Sequence, residues 1–152
     1  MLLNELYSLF LEDSGYGPVY HGGKWDGKSA IKMSRGSLGT GAYFTPDKSI
    51  AEYYAKENNG IVKSAYLKIS NPLIIKNNKD NHQHPCVEAL TILGIEKNKA
   101  SKMVERIEEQ KGYLGKEISS IAIPKGYDCI FSYYNEKLRE IVIWNSNKVI
   151  PI

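Results

Sequence analysis

The chain has 152 residues, 42% of them hydrophobic, and a formal net charge of +3 at pH 7. That length suits one ordinary domain with a substantial core, and the two cysteines, Cys86 and Cys129, are too few for a disulfide scaffold. The opening residues 1–6 carry an acid where a secretion signal needs basic residues, and no apolar run reaches membrane-spanning length. We therefore expect a single-domain, soluble, cytoplasmic protein with no membrane partner.

The positive charge comes almost wholly from lysine, because the chain has only three arginines, Arg35, Arg106 and Arg139. Specific contacts to bases and phosphates favour the planar fork of arginine, so a mild lysine excess is a weak argument for nucleic-acid binding. It does not exclude an RNA partner.

The first third of the chain predicts a helix, a strand and a loop. Apolar residues at helical spacing indicate an amphipathic helix over residues 2–11. Glycines and a proline break the chain at residues 15–18, and residues 19–21 then form a short strand that ends at Gly22 and Gly23. Residues 24–38 predict a flexible loop, which lacks the spacing of a P-loop or a dinucleotide-binding fingerprint.

Residues 39–55 are the stretch around which the rest is organised. Two glycines precede a short aromatic strand, and Thr45 as N-cap with Pro46 at the first helical position then predicts a helix. A strand, a turn and a helix in succession hold Tyr43 and one of Tyr53 or Tyr54 at fixed positions. Facing rings of this kind form a slot for a flat ring, although core aromatics are the alternative.

The remaining elements are short strands with helices between groups of them. We predict strands over residues 61–69, 73–75, 127–134 and 140–144, an edge strand at 149–150, and helices over 86–93 and 98–110. Residues 135–139 join the two longer late strands. This pattern favours an α+β fold over a doubly wound parallel sheet.

Residues 82–86, with two histidines and a cysteine, look briefly like a metal cluster. Zinc needs about four ligands at suitable spacing, and the chain has no second cluster that matches this one. We expect no metal ion.

Three separated polar residues carry a resemblance to a known family. In this order, His21, Tyr43 and Glu140 resemble the H-Y-E triad of diphtheria-toxin-like and poly(ADP-ribose)-polymerase-like ADP-ribosyltransferases. The resemblance covers residues 19–22, 39–55, 67–73 and 126–150, whereas residues 76–120 match nothing in the family. It implies a split β-sandwich in which NAD lies in a cleft between two small sheets.

The resemblance also implies how NAD is held. The backbone of Gly22 would bind the nicotinamide carboxamide, and His21 would bind the ribose on the adenosine side. Tyr43 and a helix tyrosine would sandwich the nicotinamide ring. Tyr54 fits the spacing of many bacterial and phage members, whereas a shift of one residue would select Tyr53.

Further roles follow from the same resemblance. Glu140 would stabilise the positive charge that develops on the ribose when the bond to nicotinamide breaks, as carboxylates do in glycoside hydrolysis. Residues 24–38 would cover the diphosphate, Thr40 would add a contact to NAD, and residues 135–139 would meet the acceptor. Each residue has an ordinary alternative, which for Glu140 is a surface charge on an edge strand.

The implied activity is transfer of a single ADP-ribose to a macromolecular acceptor, with protein, RNA and DNA all open. Leu138 stands two positions before Glu140, where the arginine-modifying branch has glutamate, so arginine modification by that route is in doubt. The alternatives are an NAD glycohydrolase and an inactive module that binds NAD or ADP-ribose. An RNA 2′-phosphotransferase fits poorly, because its basic pocket needs several arginines.

Small stand-alone transferases of this kind occur among toxins, toxin-antitoxin and phage-defence systems, and phage proteins that modify a host. An intracellular toxin would require a neutralising antitoxin protein as a partner. The sequence does not reveal a surface for one.

Overall fold

The computed structural model of the chain describes residues 15–77 and 84–152. The helix predicted over residues 2–11 lies outside these ranges, as does the first part of the histidine-containing segment at residues 82–86. Within the described ranges no helix is both long and apolar enough to cross a membrane.

The strands of the described residues form two sheets. The smaller sheet is antiparallel in the order β1-β4-β8, with β1 at Tyr16–Gly23, β4 at Ile61–Leu67 and β8 at Val149–Pro151. The larger sheet has the order β2-β3-β7-β6-β5, with β2 at Ser34–Gly36, β3 at Gly39–Phe44, β7 at Lys137–Ile143, β6 at Cys129–Tyr134 and β5 at Pro72–Ile75. The β5–β6 pair is parallel and the other pairs are antiparallel. The predicted edge strand at residues 149–150 is confirmed by its pairing with β4.

The helices of the described residues are α1 (Lys48–Glu57), α2 (Pro85–Ile92), α3 (Lys97–Lys111) and α4 (Glu117–Ala122). Helix α1 packs on β1 of the smaller sheet, whereas α2 contacts α3 and β5. Along the chain, groups of strands are separated by helices, and the predicted α+β class is confirmed.

The strand β7 shows how one sheet separates two cores. Ile141 and Ile143 face the core between the two sheets, whereas Val142 faces the core under the helices α2, α3 and α4. Successive side chains of a strand point to opposite faces, so an apolar run in a strand is buried on both sides. Because β7 lies between β3 and β6, it is a central strand and not an edge strand.

The start of α1 differs from the prediction. Asp47, not Thr45, is the N-cap, and its side chain accepts a hydrogen bond from the Ser49 backbone N–H at 3.0 Å. Thr45 Oγ1 accepts from the Asp47 backbone N–H at 3.1 Å, and Pro46 precedes the helix. Thr45 and Asp47 are both good capping residues, and the extended backbone at Asp47 decides which one caps.

The connection between β6 and β7 also differs from the prediction. The joining segment is the two-residue turn of Asn135 and Glu136, which have φ values of 50° and 64°. Two consecutive positive φ values give the tight hairpin turn whose twist matches the flanking strands. Lys137 and Arg139 therefore belong to β7, and Glu140 lies in the middle of that strand instead of opening it.

Two smaller predictions need correction. The stretch at residues 24–38 is not one flexible loop, because it contains β2, which pairs with β3. Residues 16–18, predicted to break the chain, belong to β1 and carry an irregularity in its pairing with β4 between Tyr16 and Val19. The helices predicted over 86–93 and 98–110 are confirmed as α2 and α3 with shifts of one residue.

Candidate active site

The two sheets meet where β1 crosses the end of β3. Tyr20 and Thr45 exchange both backbone hydrogen bonds, at 2.8 and 2.9 Å. Next to this bridge, His21 Nδ1 lies 2.7 Å from the Tyr43 carbonyl oxygen. A carbonyl oxygen can only accept, so Nδ1 carries the proton and Nε2 of the neutral ring remains an acceptor. Burial lowers the pKa of His21, which favours this neutral form.

Tyr43 lies on β3 with its hydroxyl group already engaged. The hydroxyl donates to the Gly39 carbonyl at 2.6 Å and accepts from the Leu38 backbone N–H at 2.9 Å. Burial raises the pKa of Tyr43 well above that of an ordinary phenol, so the group stays protonated. The hydroxyl therefore has a structural role.

Glu140 shares a face of the larger sheet with Tyr43. Tyr43 pairs with Val142 across β3 and β7, and Glu140 lies two residues from Val142, which makes it a diagonal neighbour of Tyr43. Ser37 Oγ donates to Glu140 Oε2 at 3.3 Å. Burial raises the pKa of Glu140, while the Ser37 hydrogen bond and the charge of Arg139 lower it in part. Glu140 is half-buried on a central strand, unlike a surface charge on an edge strand.

A cavity at the junction of the two sheets brings most of the predicted residues together. We call it the junction cavity, and its lining comprises Tyr20, Gly22, Tyr43, Phe44, Thr45, Ile50, Ala51, Tyr54, Arg139 and Glu140. Tyr54 is in this lining and Tyr53 is not. Tyr53 is 61% exposed and Tyr54 44%, and the Tyr53 ring stands edge-on to Tyr54 with the centroids 5.6 Å apart. Of these two tyrosines, Tyr54 is therefore the one that lines the same cavity as Tyr43.

A second cavity of about 400 Å³, the loop cavity, is lined by His21. Its lining includes Lys24, Trp25 and Lys32 from the segment between β1 and β2. Asp26 organises this segment, because one of its carboxylate oxygens accepts three hydrogen bonds from Lys28 and Ser29, each at 2.8 Å. These bonds lower the pKa of Asp26 to about 2. The cavity therefore has an ordered wall with two lysines near His21.

A third cavity of about 610 Å³, the hairpin cavity, lies between the start of α1 and the β6–β7 hairpin. It shares Tyr20, Ile50 and Arg139 with the junction cavity. The Arg139 guanidinium lies 5.6 Å from the centre of the Tyr134 ring, a cation–π arrangement. A molecule in the hairpin cavity thus lies next to the junction cavity and Glu140.

The structure adds residues that the sequence did not single out. Of the predicted residues, His21 lines the loop cavity instead of the junction cavity, and Tyr53 and Thr40 line none of the three cavities. Ser37, which contacts Glu140, was part of the predicted loop, and its proximity depends on the pairing of β2 with β3. Arg139 lines two cavities. Thr40, a predicted NAD contact, lies on β3 outside the lining of all three cavities, and its backbone N–H donates to the Gly115 carbonyl at 2.9 Å.

The histidine near the start of α2 has a structural position. His84 Nδ1 accepts from the Cys86 backbone N–H at 3.0 Å and so caps α2, while Nε2 lies 2.9 Å from Glu108 Oε1. Among residues 15–77 and 84–152, no group of three or more histidine, cysteine, aspartate or glutamate side chains is placed to hold a metal ion.

Two small sheets with a cavity at their junction define an α+β fold of the ADP-ribosyltransferase type. The chain belongs to the family described as ADP-ribosyltransferase in polyvalent proteins, whose sequence profile matches residues 16–150. The match spans almost all of the described residues, so the resemblance drawn from the sequence blocks is confirmed at the level of this family. ADP-ribosyltransferase domains use NAD as their substrate.

Two other comparisons add little. No curated protein matches the chain. Among solved structures, the chain is similar to one described as the crystal structure of an anti-CRISPR protein, with 18% sequence identity, a TM-score of 0.44, and coverage of 90% of this chain and 95% of the other. At that identity and score the similarity carries no inference about function.

Proposed function

We propose that this chain is an NAD-dependent mono-ADP-ribosyltransferase of the H-Y-E type that modifies a macromolecule. The observation that carries the proposal is the junction cavity, whose lining combines Gly22, Tyr43, Tyr54 and Glu140. Family membership supports the reaction class, and this set of residues supports the manner in which NAD is bound.

In the proposed complex the nicotinamide ring lies between Tyr43 and Tyr54 with its carboxamide at the Gly22 backbone. Because the junction cavity without ligand has a volume of only about 40 Å³, the exposed Tyr54 ring must move to admit it. His21 Nε2, the free acceptor of a neutral ring, receives a hydrogen bond from a ribose hydroxyl on the adenosine side. The loop cavity beyond His21 takes the rest of NAD, with Lys24 and Lys32 near the diphosphate.

The chemistry needs a carboxylate at the reacting sugar. The bond between nicotinamide nitrogen and ribose C1′ breaks, and its electron pair leaves with nicotinamide. Positive charge then develops on the ribose, and Glu140, which lines the same cavity, stabilises it. The acceptor attacks C1′ from the face opposite to nicotinamide and loses a proton to solvent. Tyr43 takes no part in proton transfer, because its hydroxyl is engaged and its pKa is raised.

The hairpin cavity supports transfer to a macromolecule over hydrolysis. It adjoins the junction cavity through Tyr20, Ile50 and Arg139, and its volume of about 610 Å³ accommodates a side chain or a nucleotide of a larger partner. Leu138 lies in its lining where the arginine-modifying branch carries glutamate, so we propose an acceptor other than arginine.

The test is incubation of the protein with phosphorus-labelled NAD and a cell lysate, beside Glu140→Ala. We expect label on a macromolecule with wild type and none with the variant, and treatment of parallel samples with protease or nuclease identifies the acceptor class. Release of nicotinamide without labelled macromolecules would favour a glycohydrolase. No consumption of NAD by wild type would contradict the proposal and favour a binding module.

A further inference from the structure

The turn between β2 and β3 contacts Glu140, which lies on β7. Gly36 pairs with Gly39, and Ser37 and Leu38 form the tip of the turn between them. Leu38 is buried in the core under the helices, whereas Ser37 is exposed on the side of Glu140. We call residues 36–39 the Ser37 turn.

The Tyr43 side chain contacts the Ser37 turn. Its hydroxyl bonds two adjacent residues of the turn, because it accepts from the Leu38 backbone N–H at 2.9 Å and donates to the Gly39 carbonyl at 2.6 Å. The turn also lies directly against the ring, since a Cβ atom built on Gly36 would be 2.6 Å from Tyr43 Cζ. Only glycine at position 36 permits this close approach.

Helix α2 also contacts the Ser37 turn. The Cys86 thiol, at the start of α2, donates to the Ser37 carbonyl with an Sγ to oxygen distance of 3.2 Å. Burial raises the pKa of Cys86 to about 12, so the thiol keeps the proton that this bond needs. The peptide between Ser37 and Leu38 is therefore held by contacts from β3 and from α2.

The fixed backbone has a consequence for the carboxylate. An exposed serine hydroxyl normally exchanges freely between water and protein partners, but here it stands 3.3 Å from Glu140 Oε2. This distance is long for an O–H···O hydrogen bond, but the bond favours one orientation of the carboxylate and leaves Oε1 outside it. Burial works in the opposite direction on Glu140, because it removes water from a charged group.

We propose that Ser37 is a positioning residue that orients the Glu140 carboxylate and keeps it ionised, and that the Tyr43 hydroxyl acts through the same turn. This inference rests on the proposed function. It assigns two tasks to Tyr43, since its ring faces the junction cavity while its hydroxyl fixes Ser37. It also gives a function to the contact between Glu140 and Ser37, a turn residue that is not part of the H-Y-E triad.

The test compares Ser37→Ala with Ser37→Thr, which keeps a hydroxyl, and with Ser101→Ala, an exposed serine on α3. Nicotinamide release is measured against NAD concentration between pH 5 and 9. We expect Ser37→Ala to lower kcat about tenfold with KM for NAD unchanged, the effect of one lost hydrogen bond to a charged group. Ser37→Thr should restore most of kcat, and Ser101→Ala should match wild type.

The pH profile separates positioning from a general structural role. Without the Ser37 hydroxyl the Glu140 carboxyl is harder to ionise, so the acid limb of kcat should move to higher pH. The other titratable groups around the junction cavity are Arg139 and three tyrosines, namely Tyr20, Tyr43 and Tyr54. On β6, the neighbour across from Glu140 is the non-titrating Ser132. His21 bonds the Tyr43 carbonyl instead and is unaffected by the substitution.

A measurement that needs no consumption of NAD tests the role of Ser37 independently of the proposed function. Carbon NMR of the Glu140 carboxyl, assigned with Glu140→Gln, gives its titration directly in wild type and Ser37→Ala. We expect the pKa to be higher in Ser37→Ala, whether or not the wild type consumes NAD. An unmoved pKa, or a fall in kcat matched by an equal loss in Ser101→Ala, would overturn the role of Ser37.

Discussion

Glu140→Gln is expected to lower kcat for nicotinamide release by about 10²- to 10³-fold, the range measured when one group that stabilises transition-state charge is removed. Glutamine has the same shape as glutamate and can still accept the hydrogen bond from Ser37 Oγ. Only the negative charge is lost. The charge stabilises the ribose cation in the transition state more than NAD in the ground state, so KM for NAD should change little.

The same substitution should leave the fold as stable as before or more stable. Burial raises the pKa of Glu140 above its ordinary value of 4.5, so the folded state holds this proton more tightly than the unfolded state. The contribution of Glu140 to the free energy of unfolding is therefore fully present below pH 4.5. It is lost as the pH rises through the folded-state pKa. The Tm of Glu140→Gln should equal or exceed that of wild type at pH 7 to 8, and any difference should disappear at acidic pH. A large fall in Tm at pH 7 would make Glu140 a structural residue.

Gly22→Ala is expected to disturb both the fold and the site. A Cβ atom built on Gly22 would lie 1.9 Å from the Ala51 carbonyl oxygen, which belongs to the backbone of α1 and cannot rotate away. Strand β1 and helix α1 must then move apart. Overpacking of this kind costs about 1–3 kcal/mol of unfolding free energy, and each kcal/mol lowers the Tm of a domain this size by about 2–4 °C.

The separation also widens the junction cavity, because Gly22 and Tyr54 come from the two elements that move apart. NAD affinity should therefore fall in titration calorimetry at a temperature where Gly22→Ala is still folded. Gly23→Ala is the matched control for Tm but not for NAD affinity, since a Cβ atom there would be within 3.0 Å only of His21 Nε2, the atom proposed to bind ribose. Equal Tm losses in the two variants would contradict the steric explanation.

The sequence predicted the fold class because the signals for strands and helices are local. A strand, a turn and a helix over residues 39–55 and the apolar run in β7 follow from residue type and spacing. The positions of His21, Tyr43 and Glu140 came from a family resemblance, and the comparison supports the family and not the role of each residue. Those roles remain predictions.

What the sequence missed depends on pairing between distant segments. The contact between Ser37 and Glu140 requires β2 to pair with β3 and β3 with β7, and no feature of a serine in a glycine-containing stretch predicts that. The hairpin at Asn135 was placed wrongly because its turn lacks the glycine that usually marks two positive φ values. Such contacts become visible only when the register of the strands is known.

The central claim is that nicotinamide binds between Tyr43 and Tyr54 with the reacting sugar beside Glu140. The most direct measurement is a crystal structure of Glu140→Gln with NAD, since the loss of charge should leave NAD intact. We expect the nicotinamide ring in the junction cavity, its carboxamide at the Gly22 backbone and ribose C1′ next to residue 140. NAD bound outside this cavity, or a nicotinamide ring stacked on Tyr53, would contradict the account.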